Sequence, residues 1–304
     1  MPNGTFPLTA LASFPGSGNT WMRHLIETST GYATGDMYLS YILVNAGTLH
    51  TRSFSTPYFL NFSVFSPMLF STGFIGGKVP TFSGRTLTIK SHVFHPKMDS
   101  AILIVRNPYR AMVAEFNRQK SNKTGFAYDG EFKTEGKFIF NRLFNLGYLE
   151  CGIGTLCSTC KNDSKTDICR REIAGEIGWS NFVKDEAPKW FNLYEKYISE
   201  CNHLGHTCKS MLIVYYEQLQ LHLKDELRRI LNYLNVTIDE QRLACTVRNS
   251  EGQFHRPKLD KTLDPFSQVD RSPVEESLKK YLDLIDQEGL EKPPLELSSF
   301  PNDI

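Results

Sequence analysis

Four short apolar runs alternate with segments of helical periodicity along this chain. In order they are LTALASFP (8–15), RTLTIKSH (85–92), AILIVRNP (101–108) and MLIVYYEQL (211–219). Apolar runs of this length, bounded by polar and turn residues, are typical of strands buried in a parallel sheet. Strands that alternate with helices build such a sheet with helices on both faces, so the pattern predicts an α/β fold.

Helices are predicted after these strands from apolar positions spaced three and four residues apart. The first begins at Asn19 or Thr20, either of which can cap it, and it ends at Gly31. The others are expected near 109–119, over 179–200 with a break near Pro188, and near 222–236, 238–248 and 273–287. The stretches 36–84 and 121–178 show no clear period, and we expect irregular insertions there in a single domain spanning residues 1–304.

The composition is that of a globular protein without a strong overall charge. The 304 residues are 40% hydrophobic and 12% aromatic, and the net charge is +1. A chain this close to neutrality has no general attraction to nucleic acid or to an anionic membrane, so a local cluster must hold any anionic ligand. The first eleven residues contain neither a signal peptide nor a membrane-spanning run, and we expect a targeting segment to be missing before them.

Cysteines and glycosylation sequons favour a secretory compartment. Five Asn-x-Ser/Thr sequons occur, and four of the seven cysteines crowd into 151–169. Cys201 and Cys208 flank a short loop, and we predict a disulfide between them. A second disulfide is expected within 151–169, with zinc bound by Cys157 and Cys160 as the competing interpretation. These features predict a glycoprotein of the Golgi lumen or secretory pathway.

The stretch FPGSGNTW (14–21), between the first strand and the first helix, looks like a phosphate-binding loop that has no lysine. Backbone N–H groups at a helix N-terminus, with the helix dipole behind them, bind an anion without a lysine. Gly16 and Gly18 let the backbone curl close to the anion. Ser17 and Thr20 add hydroxyl donors, and Trp21 can stack on a base. The loop predicts a P-loop-like sheet, an ordinary strand-to-helix turn being the alternative.

Three motifs, in order, resemble those of the PAPS-dependent sulfotransferases, which use 3′-phosphoadenosine 5′-phosphosulfate (PAPS) as sulfuryl donor. SFPGSGNTW resembles their phosphosulfate loop, Y/F-P-K-S-G-T-T/S-W, and IVRNPYRAMVAEFNR resembles their 3′-phosphate segment. With VYYEQL, these stretches are most similar to the WSC-domain-containing sulfotransferases, which are implied to sulfate sialic acid on glycans. The resemblance runs from about residue 9 to about residue 290 and implies the sulfotransferase fold.

The resemblance also implies a nucleotide site at the carboxyl ends of the strands. Arg106 ends an apolar strand, and its planar fork suits the 3′-phosphate. Tyr216 matches a family tyrosine near the nucleotide, with core packing as the alternative, and Arg256 matches a loop that closes over the 3′-phosphate. No metal is expected. The expected nucleotide-binding residues are Gly16, Ser17, Gly18, Asn19, Thr20, Trp21, Arg106, Tyr216 and Arg256.

The sequence KSH (90–92) resembles the K-T-H at the end of a sulfotransferase strand. We predict His92 as the general base, because a neutral imidazole accepts the proton of an acceptor hydroxyl near neutral pH. His95, three residues further on, is the alternative. Arg110 and Arg118, in the helix that follows Arg106, are predicted to be charges on the helix surface.

Two positions depart from the family pattern. Gly16 stands where most sulfotransferases carry the loop lysine, and Ala114 stands where a serine contacts the 3′-phosphate. Lys90 lies on the same strand face as His92, since alternate residues of a strand point the same way. We therefore predict that Lys90 supplies the missing cation, with Arg23 as the next candidate and a solvated lysine as the alternative.

Together these features predict an enzyme that moves a sulfuryl group from PAPS to a hydroxyl of a carbohydrate acceptor and releases 3′-phosphoadenosine 5′-phosphate (PAP). Sialic acid on a glycan is implied by the resemblance alone, and another carbohydrate or a small alcohol remains open. One alternative is a nucleoside or metabolite kinase with a degenerate loop, which the missing lysine disfavours. Another is a relative that binds nucleotide or glycan without turnover, which Gly16 and Ala114 favour.

Overall fold

A five-stranded parallel sheet forms the centre of the computed structural model, which describes residues 1–37, 79–121, 178–203, 206–251 and 265–299. The spatial order of the strands is β2-β3-β1-β4-β5, and each neighbouring pair is parallel. The predicted α/β class is confirmed. The strands are β1 (Thr9–Ser13), β2 (Gly35–Asp36), β3 (Ile89–Ser91), β4 (Ser100–Val105) and β5 (Ser210–Tyr215).

Helices cover both faces of this sheet. They are α1 (Asn19–Thr30), α2 (Pro108–Ser121), α3 (Trp179–Cys201), α4 (Tyr216–Leu221), α5 (Leu223–Tyr233), α6 (Glu240–Arg248) and α7 (Gln268–Gln287), followed by a 3-10 turn (Leu295–Leu297). Alternate residues of a strand point to opposite faces. Accordingly, Leu103 packs with α2, α3 and α7, whereas its neighbours Ile102 and Ile104 pack with α1, α5 and α6.

The predicted capping of the first helix is wrong. Gly18 precedes α1 in a left-handed conformation (φ 88°), and no side chain caps the helix there. The Asn19 amide instead donates to the Leu11 carbonyl at 2.8 Å and to the Ser13 hydroxyl at 3.1 Å. The side chain of Asn19 therefore ties the start of α1 back to β1. The predicted end is confirmed, because the N–H of Gly31 donates to the Glu27 carbonyl.

The predicted break at Pro188 is also wrong, since α3 continues through that residue. A proline removes one helical hydrogen bond, here to the carbonyl of Lys184. Both residues are exposed, so water can reach that carbonyl, and the buried aromatic face of α3 remains unbroken. The last helix begins at Gln268 rather than near 273, because Ser267 and Asp270 form a capping box in front of it.

The predicted disulfide joins the end of α3 to the segment before β5. Cys201 and Cys208 are bonded, with their Cα atoms 4.7 Å apart. The cysteines of 151–169 lie outside the described residues, so the second disulfide and its zinc alternative stay predictions. So does the one-domain organisation, because most of 36–84 and 121–178 is not described. Among the described helices, none is long and apolar enough to cross a lipid bilayer.

Candidate functional site

The carboxyl edge of the sheet brings together four of the predicted segments. The loop 14–18 follows β1, His92 follows β3, Arg106 follows β4 and Tyr216 follows β5. Contacts join them: the Arg106 Nη1 donates to the Gly16 carbonyl at 2.6 Å, and the guanidinium lies 4.5 Å from the centre of the Tyr216 ring. The sequence analysis placed these residues at one edge, and the structure has them there.

Gly16 is pressed against helix α2. Its φ is 82°, and a Cβ atom built there would lie 3.0 Å from both the Ala111 carbonyl oxygen and the Glu115 nitrogen. The same Cβ would lie 3.2 Å from the Cβ of Ala114. The two departures from the sulfotransferase pattern, Gly16 and Ala114, therefore face each other. A side chain at position 16 would have to displace the backbone of α2.

Gly18 is packed just as closely against Tyr216. A Cβ atom at Gly18 would overlap Cε2 of the Tyr216 ring. Trp21 meets the same ring edge-on, with centroids 5.7 Å apart, and its indole N–H donates to the Ser250 carbonyl at 2.7 Å. Trp21 is half-buried, so stacking of its ring on a base stays a prediction. Arg256 lies outside the described residues.

Below the loop, the Tyr194 phenol of α3 bridges the two central strands. It accepts from the backbone N–H of Phe14 at 3.3 Å and donates to the Ile104 carbonyl at 2.8 Å. Ser17 is buried beside this phenol, whose pKa burial raises. Ser17 and Asn19 both point their side chains inward, whereas Thr20 is half-buried in the first turn of α1. The backbone N–H groups of that turn, together with the Thr20 hydroxyl, are therefore candidate donors for an anion.

His92 is held in one tautomer. Its Nδ1 lies 2.7 Å from the Ser13 carbonyl oxygen, which can only accept, so Nδ1 carries the proton and Nε2 is the basic nitrogen. Burial, and then the positive charge of Lys90, lower the pKa of His92 from 6.5 to about 3. The imidazole is therefore neutral at pH 7. Nε2 is thus free of a proton at pH 7, but the low pKa makes it a weaker base than an ordinary histidine.

Lys90 lies beside His92 but is already paired. Its Nζ is 3.7 Å from Oδ2 of Asp36, and its side chain is 11% exposed. Arg23, the other candidate cation, is fully buried and binds Thr34 and Asp36. Arg106, by contrast, has a hydrogen bond to the loop. The assignment of Lys90 as the substitute for the loop lysine stays a prediction.

Two arginines that were predicted to be surface charges lie around the site. Arg118 donates to both oxygens of Glu115, and its charge contributes to lowering the pKa of Lys90 and of His92. Arg110 is half-buried, and burial lowers its pKa, with the charges of Glu217 and Arg106 acting on it as well. Helical periodicity alone did not predict these surroundings, because several groups that act on the two arginines or are affected by them come from distant segments of the chain.

Asn107 and Glu217 were missed by the sequence analysis. The Asn107 carbonyl oxygen of the side chain accepts from the Arg110 N–H at 3.2 Å, and its amide donates to the carbonyls of Glu296 and Ser299. Glu217 accepts from the Asn107 N–H at 3.1 Å, and burial raises the pKa of this glutamate. An Asn-Pro pair directly after a strand is the signature of a capped helix start, and it could have identified Asn107.

No protein-family model matches the chain. Its sequence is similar to WSCD family member CG9164 of Drosophila melanogaster (30% identity over 273 residues) and to WSCD family member AAEL009094 of Aedes aegypti (28% over 274 residues). Each alignment covers 88% of this chain and 63% of the relative, so the chain spans less than two thirds of their length. Among solved structures it is similar to mouse sulfotransferase SULT7A1 complexed with PAP, at 14% identity and a TM-score of 0.42, covering 93% of this chain and 86% of that chain.

The contact between Gly18 and Tyr216 predicts a specific loss of stability. Gly289→Ala adds a side chain at a positive φ in open space, which costs about 1 kcal/mol of unfolding free energy. Gly18→Ala has the same backbone cost and must also push the Tyr216 ring aside, so we expect it to lose about 1–3 kcal/mol more. Urea unfolding of both variants measures the difference. Equal losses would contradict the close packing of the loop on Tyr216.

The environment of His92 predicts how stability depends on pH. Its folded-state pKa is about 3, below the ordinary 6.5, so the unfolded chain takes up the proton first as the pH falls. The stabilisation is complete above pH 6.5 and is lost between pH 6.5 and about 3, by up to about 1.4 kcal/mol per pH unit. His92→Gln should lack this contribution in urea unfolding over that range. The exposed His222 offers a control, since His222→Gln should leave the contribution in place.

Proposed function

We propose that this chain is a PAPS-dependent sulfotransferase domain that transfers a sulfuryl group to a hydroxyl of a carbohydrate acceptor. The observation that carries the proposal is the meeting of a glycine-built helix N-terminus, Arg106 and a neutral His92 at one edge of the sheet. An anion site next to a base is what transfer from an anionic donor needs. The motif resemblance and the similarity to WSCD family members support the same conclusion.

The donor would bind across the carboxyl edge of the sheet. The first turn of α1 and the glycines of the loop suit the 5′-phosphosulfate, because both offer backbone N–H groups and close approach. Arg106 suits a phosphate as a planar, permanently charged fork, and Arg110 adds a second guanidinium nearby. Tyr216 and Trp21 form an aromatic wall beside them.

The reaction needs one proton transfer and one sulfuryl transfer. Nε2 of His92 accepts the proton of the acceptor hydroxyl. The hydroxyl oxygen attacks the sulfur opposite the bridging oxygen, which joins the sulfur to the 5′-phosphate of PAPS. The bond from sulfur to that oxygen breaks, so the products are a sulfate ester, PAP and a protonated His92. Negative charge grows on the bridging oxygen, and Lys90 is the cation proposed to stabilise it in the transition state.

The acceptor and the compartment are extensions of the same proposal. The resemblance to WSC-domain-containing sulfotransferases makes sialic acid on a glycan the first acceptor to test. The Cys201–Cys208 disulfide supports an oxidising compartment such as the Golgi lumen. A relative without turnover is the second candidate, favoured by the packing of Gly16 on α2, which leaves no room for a lysine side chain at position 16 unless α2 moves.

Nucleotide binding tests the first half of the proposal. We expect calorimetry to detect PAP binding, and Arg106→Ala to weaken it by about 1.5–3 kcal/mol, as for the loss of a hydrogen bond to a charged group. Arg228→Ala is the matched control, because Arg228 pairs with Glu240 on α5 and α6. A kinase would instead bind ATP with Mg²⁺ in the same experiment. Unchanged PAP affinity in Arg106→Ala would contradict the assigned role.

Transfer of radiolabelled sulfate from PAPS to a panel of sialylated and neutral glycans tests the second half. Lys90→Ala should lower the transfer rate by roughly 10²–10³ and change PAP affinity only a few-fold, because its charge acts mainly in the transition state. His92→Ala should be at least as damaging at neutral pH, whereas His95→Ala should keep the rate. PAP binding without transfer in the unmodified chain would favour the inactive relative.

A further inference from the structure

The two-residue strand β2 places a buried carboxylate next to Lys90. Asp36 lies directly opposite Lys90 in the register of β2 and β3, and its side chain has no exposure to solvent. Its Oδ2 lies 3.7 Å from the Nζ of Lys90. The strand register thus pairs a buried carboxylate with the lysine.

The Asp36 carboxylate is itself fixed in place. The same Oδ2 accepts from Nη1 of Arg23 at 3.2 Å, and the Arg23 side chain is also fully buried. Arg23 is anchored in turn, because its Nε donates to the Thr34 hydroxyl at 2.8 Å and its Nη2 to the Thr34 carbonyl at 3.2 Å. Glu27 accepts from both the N–H and the hydroxyl of Thr34. A carboxylate held by these contacts has a fixed position, and it can therefore hold the ammonium group of the lysine in one place.

The charges that face Lys90 oppose one another. Burial lowers its pKa, and the positive charges of Arg23 on α1 and Arg118 on α2 lower it further. Asp36 on β2 is the group that raises it, by charge and by hydrogen bond, while His92, directly after β3, is neutral at pH 7. Among the groups that act on the pKa of Lys90 in the described part of the chain, Asp36 is the one that favours the charged ammonium form.

We infer that Asp36 is a positioning residue that keeps Lys90 protonated and aligned beside His92. This inference rests on the proposed function, in which the charge of Lys90 acts on the leaving oxygen. It adds Asp36, the last residue of β2, to the residues that act in the site. A merely structural ion pair would stabilise the fold without setting the protonation of the lysine.

The test measures the titration of Lys90 directly, without an acceptor. Lysines of the intact chain are reductively ¹³C-methylated, and the Lys90 signal is assigned in NMR spectra by its absence in Lys90→Arg. Asp36→Asn should lower the midpoint of this signal by about 1–3 pH units, as for the loss of an opposite charge at this distance. Asp36→Glu should restore it in part. Glu27→Gln is the matched control, because it removes a neighbouring buried carboxylate that bonds Thr34 rather than Lys90.

A second pair of variants covers the case in which Asp36→Asn does not fold. Arg23→Gln and Arg23→Gln/Asp36→Asn both lack the buried guanidinium and differ only in the carboxylate. The double variant should titrate Lys90 at least one pH unit lower than the single variant. An unchanged midpoint in either comparison would overturn the inference.

The rate of transfer separates this inference from the proposed function. If both hold, the decline of the PAPS transfer rate on the alkaline side should begin at a lower pH in Asp36→Asn by the same shift that NMR measures. A shifted Lys90 titration in a chain that transfers no sulfate would retain the role of Asp36 and reject the function. If the Lys90 titration shifts but the alkaline decline of the transfer rate does not, the protonation of Lys90 does not control the rate, and the link between Asp36 and catalysis is rejected.

Discussion

The hydrogen bond from the Arg106 guanidinium to the Gly16 carbonyl joins the parts of this site that the chain supplies from far apart. Arg106 also lies over the Tyr216 ring, and its own carbonyl accepts from the indole of Trp190 at 3.2 Å. One residue thus contacts the loop after β1, the start of α4 and the middle of α3. The position of Gly16 depends on the same arrangement, since Arg106 bonds its carbonyl and α2 packs against its Cα.

The hydrophobic pattern was enough to predict the sheet. Each long strand buries alternate residues on two different helical layers, so its apolar run is continuous and easily recognised. Strand β2 was not predicted, because two residues show no periodicity. Its register pairs Gly35 with Ile89 and Asp36 with Lys90, far apart in the sequence. The continuity of α3 through Pro188 was not predicted for another reason. Packing of its aromatic face outweighs the loss of one hydrogen bond on the exposed side.

Motifs located the site better than they assigned its side chains. Gly16, His92, Arg106 and Tyr216 meet as expected, because the carboxyl ends of parallel strands share one edge. Their partners were not predictable, since the charge that faces Lys90 comes from Asp36 and the one that faces Arg110 comes from Glu217. Pairing between buried charges is decided by three-dimensional packing, and neither spacing nor composition reports it. The inward rotation of Asn19 was hidden for the same reason.

The Tyr194 phenol gives the crevice between β1 and β4 an uncharged floor. The strand order changes direction between these two strands, and the phenol spans them just below the loop. Because burial raises its pKa, this floor stays protonated throughout the physiological range. The depth of the crevice therefore offers an anion a polar hydroxyl whose charge does not change with pH in that range.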